Sequence, residues 1–197
     1  MQYKKDWEST RQRFDDYWKG ENTGRPIMRV TGVKPGHYPF QVPPEIKSKS
    51  MDEKYLDAES IVRRFRYYCE THEFLGESFP NLNADFGPGS LAAYLGSGIR
   101  FQPNTVWFDP CVEDWADYPK IQFDPENKWF KEHIRVFSEC KKLIGNDFPI
   151  AIPDLMENVD VLASMRGAMD LLYDMIDDEE EIVKRVQEVT NCYQQYY

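Results

Sequence analysis

The chain has 197 residues, enough for one substantial hydrophobic core and too few for most two-domain arrangements. Hydrophobic residues make up 41% and aromatic residues 15%, the composition of a chain that folds. Asp and Glu number 34 against 24 Lys and Arg, and the net charge of −10 repels a polyanion, so nucleic acid is excluded as a partner.

No window reaches the roughly 18 consecutive apolar residues that crossing a bilayer needs, and no apolar run follows a basic start. No membrane partner is expected, and the expected setting is the cytoplasm. Cys69, Cys111, Cys140 and Cys192 are scattered, with no Cys-x-x-Cys and no His at a ligand spacing. They are expected to be reduced thiols, Cys69 and Cys140 on apolar helix faces.

Residues 3–19 suit a helix carrying Trp7, Phe14 and Trp18, ended by Gly20 and Gly24. Arg25-Pro-Ile-Met-Arg-Val-Thr31 suits a strand, and a Pro/Gly-rich loop over 32–44 follows with His37. His37 is either an acid/base or anion-binding group or a solvated loop side chain. Ser50-Met-Asp-Glu53 is a capping box, and the helix after it carries Ala58, Ile61, Val62, Phe65, Tyr68, Cys69 and His72 at three/four spacing. Residues 79–85 suit a strand ending at Asp85. The Phe86-Gly-Pro-Gly89 turn, a short helix through Leu91 to Leu95 and a break at Gly96-Ser-Gly98 come next. Those glycines either admit a ligand close to the backbone or simply form turns. They make neither a P-loop nor G-x-G-x-x-G. Residues 99–123 are aromatic-rich and punctuated by prolines, as in a β-hairpin-like insertion or lid, where Trp107 either walls a pocket or staples the excursion down.

Asp124-Pro125 predicts a helix start, and Gly145-Asn146 its stop. The apolar run Phe148-Pro-Ile-Ala-Ile-Pro-Asp154 predicts a buried strand. A polar cluster follows at once: Asp154, Glu157, Asn158 and Asp160. In α/β proteins ligands bind beyond the carboxyl ends of strands, so this cluster stands where chemistry would sit. The alternative is that Asn158 or Asp160 caps the next helix. That helix carries Leu162, Met165, Met169, Leu172 and Ile176 as core, with Arg166 either holding an anion or pairing with Asp170. Asp177 to Glu181 place acids at the start of a last helix burying Ile182, Val186, Val189 and Tyr193, a structural run rather than a metal site. The alternation of helices and strands argues for an α/β fold with parallel strands, in one domain over 1–197.

Three features carry a resemblance: the strand at 148–154, Leu162-Ala-Ser-Met-Arg-Gly167, and Leu171-Leu-Tyr-Asp-Met-Ile-Asp-Asp178 before its helix. The stretch Trp18-Lys-Gly-Glu-Asn-Thr-Gly-Arg-Pro26 adds to it. In these the chain resembles the uroporphyrinogen decarboxylase-like superfamily, which includes corrinoid-dependent methyltransferases. The resemblance implies a (β/α)₈ TIM barrel with its site at the C-terminal ends of the strands. Such a barrel takes about 250 residues, so the element order corresponds to its N-terminal portion. The chain stops at Tyr196-Tyr197 within a helical pattern, so it is expected to be a fragment or a split subunit. A C-terminal half or a second copy would complete it.

After Arg25-Pro26 comes Ile-Met-Arg-Val-Thr-Gly-Val-Lys-Pro-Gly36 in place of the Arg-rich run by which the decarboxylases grip substrate carboxylates. The expected activity is therefore methyl transfer between a small substrate and a corrinoid or thiol acceptor. Asp154 and Asp160 are the expected catalytic groups, and His37, Asp85, Trp107, Glu157, Asn158 and Arg166 the substrate-binding ones. Zinc and a corrinoid partner belong to the complete barrel, with no metal ligands and no bound cofactor expected in this chain. The alternatives are a lyase or decarboxylase on a small carboxylate, using Arg29, Lys34 and Arg166, or a non-catalytic truncated barrel that binds a partner half.

Overall fold

The computed structural model describes residues 1–21, 24–34, 46–156 and 158–197. Helix and strand are mixed, and the chain forms two units: Met1–Ala84 with Phe137–Ala151, and Asp85–Val136 with Ile152–Tyr197.

The first unit holds α1 (Trp7–Trp18), β1 (Arg29–Val33), α2 (Met51–Tyr55), α3 (Ala58–Thr71) and β2 (His72–Gly76). Trp7 and Phe14 on α1 meet the ring of Phe79 edge-on, with centroids 5.2 and 5.9 Å apart. The cap forms at Ser50 as expected, its Oγ accepting from Glu53 N at 3.1 Å, while the Glu53 carboxylate accepts from Lys49 N, one residue before the cap, rather than from Ser50 N. Asp57 caps α3 by accepting from Ser60 N at 2.6 Å. Ala58, Ile61, Val62 and Cys69 form the buried face of α3.

His72 does not extend that face. The Thr71 hydroxyl donates back to Tyr67 O at 2.9 Å, the backbone turns extended at His72, and β2 begins there. β2 pairs antiparallel with β1, with Val30 opposite Leu75 and Thr31 opposite Phe74. The segments at 79–85 and 148–154, expected as strands, meet in one isolated parallel bridge, Leu82 to Ile150. Leu82 N donates to Pro149 O at 3.0 Å, and Ala151 N donates to Leu82 O at 2.7 Å. The extended ladders among the described residues are antiparallel, where parallel strands were expected, and a closed barrel is not shown.

The second unit holds α4 (Ser90–Tyr94), β3 (Gly98–Phe101), β4 (Val106–Asp109), α6 (Asn158–Arg166), α7 (Ala168–Asp177) and α8 (Glu179–Tyr196). Helix α5 (Lys128–Ile144) contributes its residues up to Val136 to this unit and the remainder to the first. β3 and β4 form an antiparallel hairpin, as expected for the aromatic excursion. Gly87 and Gly89 are crowded by that hairpin: a Cβ at Gly89 would lie 2.5 Å from the Phe108 ring, and one at Gly87 3.0 Å from Val106. The close approach that these glycines permit is taken up by the hairpin's own side chains.

Asp124 and Pro125 form a turn before α5 rather than its cap. The cap is Asn127, whose Oδ1 accepts from Trp129 N at 2.9 Å and Phe130 N at 3.1 Å. Gly145, with φ +55°, ends α5 as expected. The single helix expected through 176 is broken by Gly167, at φ +97°, and resumes as α7 in a new phase. Leu162 and Met165 are buried, but Met169, Leu172 and Ile176 are exposed, and Leu171 is the buried residue of α7. The core of this unit comprises Leu91, Tyr94, Val112, Trp115, Ile121, Val161, Leu162, Met165, Ile182 and Val189 with their neighbours. Cys69, Cys140 and Cys192 are buried thiols, and Cys111 is a half-buried one. No helix of the described residues is long and apolar enough to cross a membrane.

Candidate functional site

His37 and Glu157 lie outside the described residues. Asp154 is exposed, and its Oδ1 accepts from Met156 N at 2.9 Å. That turn holds Met156 at φ +61°, a left-handed conformation uncommon for a side-chain-bearing residue. Asn158 opens α6, and its amide donates to the hydroxyl of Thr190 on α8, so its side chain fastens two helices. Asp160 is exposed in the first turn of α6, where a carboxylate complements the helix dipole. Asp85 Oδ1 accepts from Gly87 N at 3.0 Å and shapes the turn before α4. Trp107 is exposed on β4, opposite Arg100. Among the described residues no hydrogen bond joins Asp85, Trp107, Asp154 or Asp160 to another of this set.

Arg166 is engaged from two sides. Its Nε donates to Asp174 Oδ2 at 2.7 Å and its Nη1 to Glu113 O at 2.5 Å. Asp170, the partner at the ordinary helical spacing, lies 3.9 Å away because Gly167 interrupts the helix between them. Trp115 Nε1 donates to the same Asp174 oxygen at 2.8 Å. The hydrogen bond from Arg166 holds the Asp174 carboxyl below its ordinary pKa, and the same bond raises that of Arg166.

Arg166 and Asp174 open onto a cleft of about 380 Å³ in the second unit, which Arg185, Lys184, Asp177 and Asp178 also line. Arg185 is 3% exposed. Its guanidinium donates to Glu181, to Glu188 and to the carbonyls of Trp115, Tyr118 and Pro119, at 2.7 to 3.1 Å. It also stands 5.3 Å from the Trp115 ring centroid. Lys184 pairs with Glu181 at 2.9 Å and, through that bond, is the first cause lowering the Glu181 pKa. The cleft's cations are thus committed to carboxylates of the chain itself.

A buried polar pair lies elsewhere in the unit. The Tyr94 hydroxyl hydrogen-bonds His133 Nδ1, and Phe86 stacks on the imidazole with centroids 4.2 Å apart. Burial pushes the Tyr94 hydroxyl pKa upward. Neither residue stood out in the sequence, because Tyr94 sits in a short apolar helix and His133 among charges. Gly167, an interior glycine in a helical pattern, was the available sign that Arg166 would bypass Asp170.

The zinc that the family resemblance implies needs a set of converging donors. Among the described residues, no group of three or more His, Cys, Asp and Glu could hold a metal ion. His72 hydrogen-bonds the Thr71 hydroxyl at 3.0 Å, and His133 is taken up by Tyr94. The described donor set does not fit zinc.

No protein family model, curated protein or solved structure matches the chain.

Proposed function

We propose that the chain is the N-terminal portion of a uroporphyrinogen decarboxylase-like (β/α)₈ barrel and serves methyl transfer between a small substrate and a corrinoid or thiol acceptor. The observation that supports it best is the parallel bridge between Leu82 and Ile150. Two extended segments running in the same direction, with a helix-containing crossover between them, are the repeating unit of such a barrel. Asp85 follows one segment and Asp154 the other, in the sequence position where barrel enzymes carry their chemistry.

In this proposal Asp154 is the chain's principal polar group. One carboxylate oxygen is fixed by Met156 N, which sets the orientation of the group, and its exposure leaves the other to a substrate hydroxyl or amine. Asp160 stands one turn into the adjoining helix as a second carboxylate. Trp107 offers an exposed aromatic face, and Asp85 shapes the turn behind it in sequence. Asn158 and Arg166 act as fasteners, since their donors are spent on Thr190 and Asp174. With Arg166 so engaged, the geometry favours methyl transfer over a lyase needing it to grip a substrate carboxylate. The described residues do not fit the zinc of the methyltransferase branch, so no step is routed through it.

The test is loss of the methylcobalamin spectrum on mixing the protein, in the assembly that completes its barrel, with methylcobalamin, zinc and a small thiol. Exchange that falls about a hundredfold in Asp154→Asn, with unchanged far-UV circular dichroism, is the expected result. Absence of exchange, or exchange indifferent to Asp154→Asn, overturns the proposal.

A further inference from the structure

Helix α7 buries only Leu171, while Met169, Leu172, Tyr173 and Ile176 are 62%, 54%, 60% and 81% exposed. Their spacing of three, one and three residues puts them on one stripe of the helix. A helix this short is marginal in water on its own, and its apolar stripe normally faces a core. Here the restart after Gly167 turns the stripe outward. A stripe of four large apolar side chains, rather than one isolated exposed residue, is the pattern of an interaction surface.

The charges beside it say what kind of partner fits. At 3.6 residues per turn, Asp170 and Asp177 fall together along one edge of the stripe. Beyond the helix end the exposed run Asp178, Glu179 and Glu180 continues the same sign. The last turn of α7 has no basic residue, so the negative end of its dipole has no cation of its own helix. Pairing the same patch of two antiparallel copies would set these like charges against each other along one rim. We infer that the α7 stripe is a docking surface for an amphipathic helix of another polypeptide, one with Lys or Arg flanking its apolar face. Apolar anchors would fill the stripe, and the flanking cations would meet Asp170, Asp177 and the dipole end. This surface is independent of the proposed methyl transfer.

The probe is a fluorescent amphipathic peptide of leucine and lysine, about 18 residues long so that it can form a helix. Its leucine/glutamate counterpart is the control, and binding to the 197-residue chain is read by anisotropy. Saturable binding of the leucine/lysine peptide alone is expected. Leu172→Gln with Ile176→Gln should weaken it about tenfold or more without changing net charge, because anchor residues dominate such interfaces. Asp170→Asn with Asp177→Asn should weaken it less and flatten its salt dependence. All four positions are exposed, so circular dichroism should be unchanged. No saturable binding, equal binding of both peptides, or affinity indifferent to the glutamine pair overturns the inference. So does a dimer in sedimentation velocity that the glutamine pair dissolves, which would make a second copy the occupant.

Discussion

Glu77 carries a carboxylate whose side chain is 2% exposed, and three donors hold it: Arg13 at 2.7 Å, Arg25 at 2.5 and 2.7 Å, and Met28 N at 2.9 Å. The bonds from Arg25 are the largest cause of a pKa depressed from 4.5 to about 2. A carboxyl with a depressed folded-state pKa contributes stability that is present above its unfolded value and lost as pH falls through the folded one. Stability should therefore decline between about pH 4.5 and pH 2 as this group protonates. The decline should be visible as a falling urea midpoint. Glu77→Gln should cost about 2 kcal/mol near neutral pH and flatten that acid limb. An unchanged limb in the variant would assign acid sensitivity to other carboxylates. Nothing in the local pattern around Glu77 distinguished it, because Arg13 and Arg25 reach it from 64 and 52 residues away.

At the scale of elements, what was legible was what neighbouring residues decide. Ser50 with Glu53 and the stop at Gly145 are contacts within a turn, and the structure has both. What depended on distant partners was not legible. The apolar runs at 79–85 and 148–154 suit strands, yet they share one bridge, since a ladder needs a neighbour along its length. β2 was hidden because His72 keeps step with the helical stripe, and only the Thr71 hydroxyl and the β1 ladder draw it away. The polar cluster from Asp154 to Asp160 was legible as a group, but the use of Asn158 on Thr190, 32 residues on, was not. The hairpin makes the element-scale expectation testable. Gly89→Ala places a methyl group 2.5 Å from the Phe108 ring and should cost about 1–3 kcal/mol in thermal or urea unfolding. Combining it with Phe108→Ala should give a double-mutant coupling of opposite sign to the single costs. Simple additivity would show that Phe108 is not what Gly89 accommodates.

For the whole molecule, the barrel proposal makes a prediction about mass. Among the described residues, one parallel bridge and two short antiparallel ladders do not close a barrel, and an open parallel edge needs covering. Light scattering on the purified protein should give an assembly larger than 23.3 kDa or show a second polypeptide carried along with it. A monomer of that mass with one cooperative thermal transition would count against the barrel and favour a self-contained α/β protein. The net charge of −10 should make the assembly tighten as salt screens self-repulsion, which a measurement at two ionic strengths would read.

The four thiols give the molecule an internal clock. Cys69 and Cys140 are fully buried in the first unit and Cys192 is buried in the second, while Cys111 is half-buried. Burial pushes the Cys69 thiol up to about 12, so its reactive thiolate is scarce as long as its surroundings stay closed. A reagent that stops at Cys111 in the native protein must wait for local or global opening to reach the other three. The order in which they are labelled would therefore date the opening of each unit separately, from the chain's own side chains and without an introduced probe.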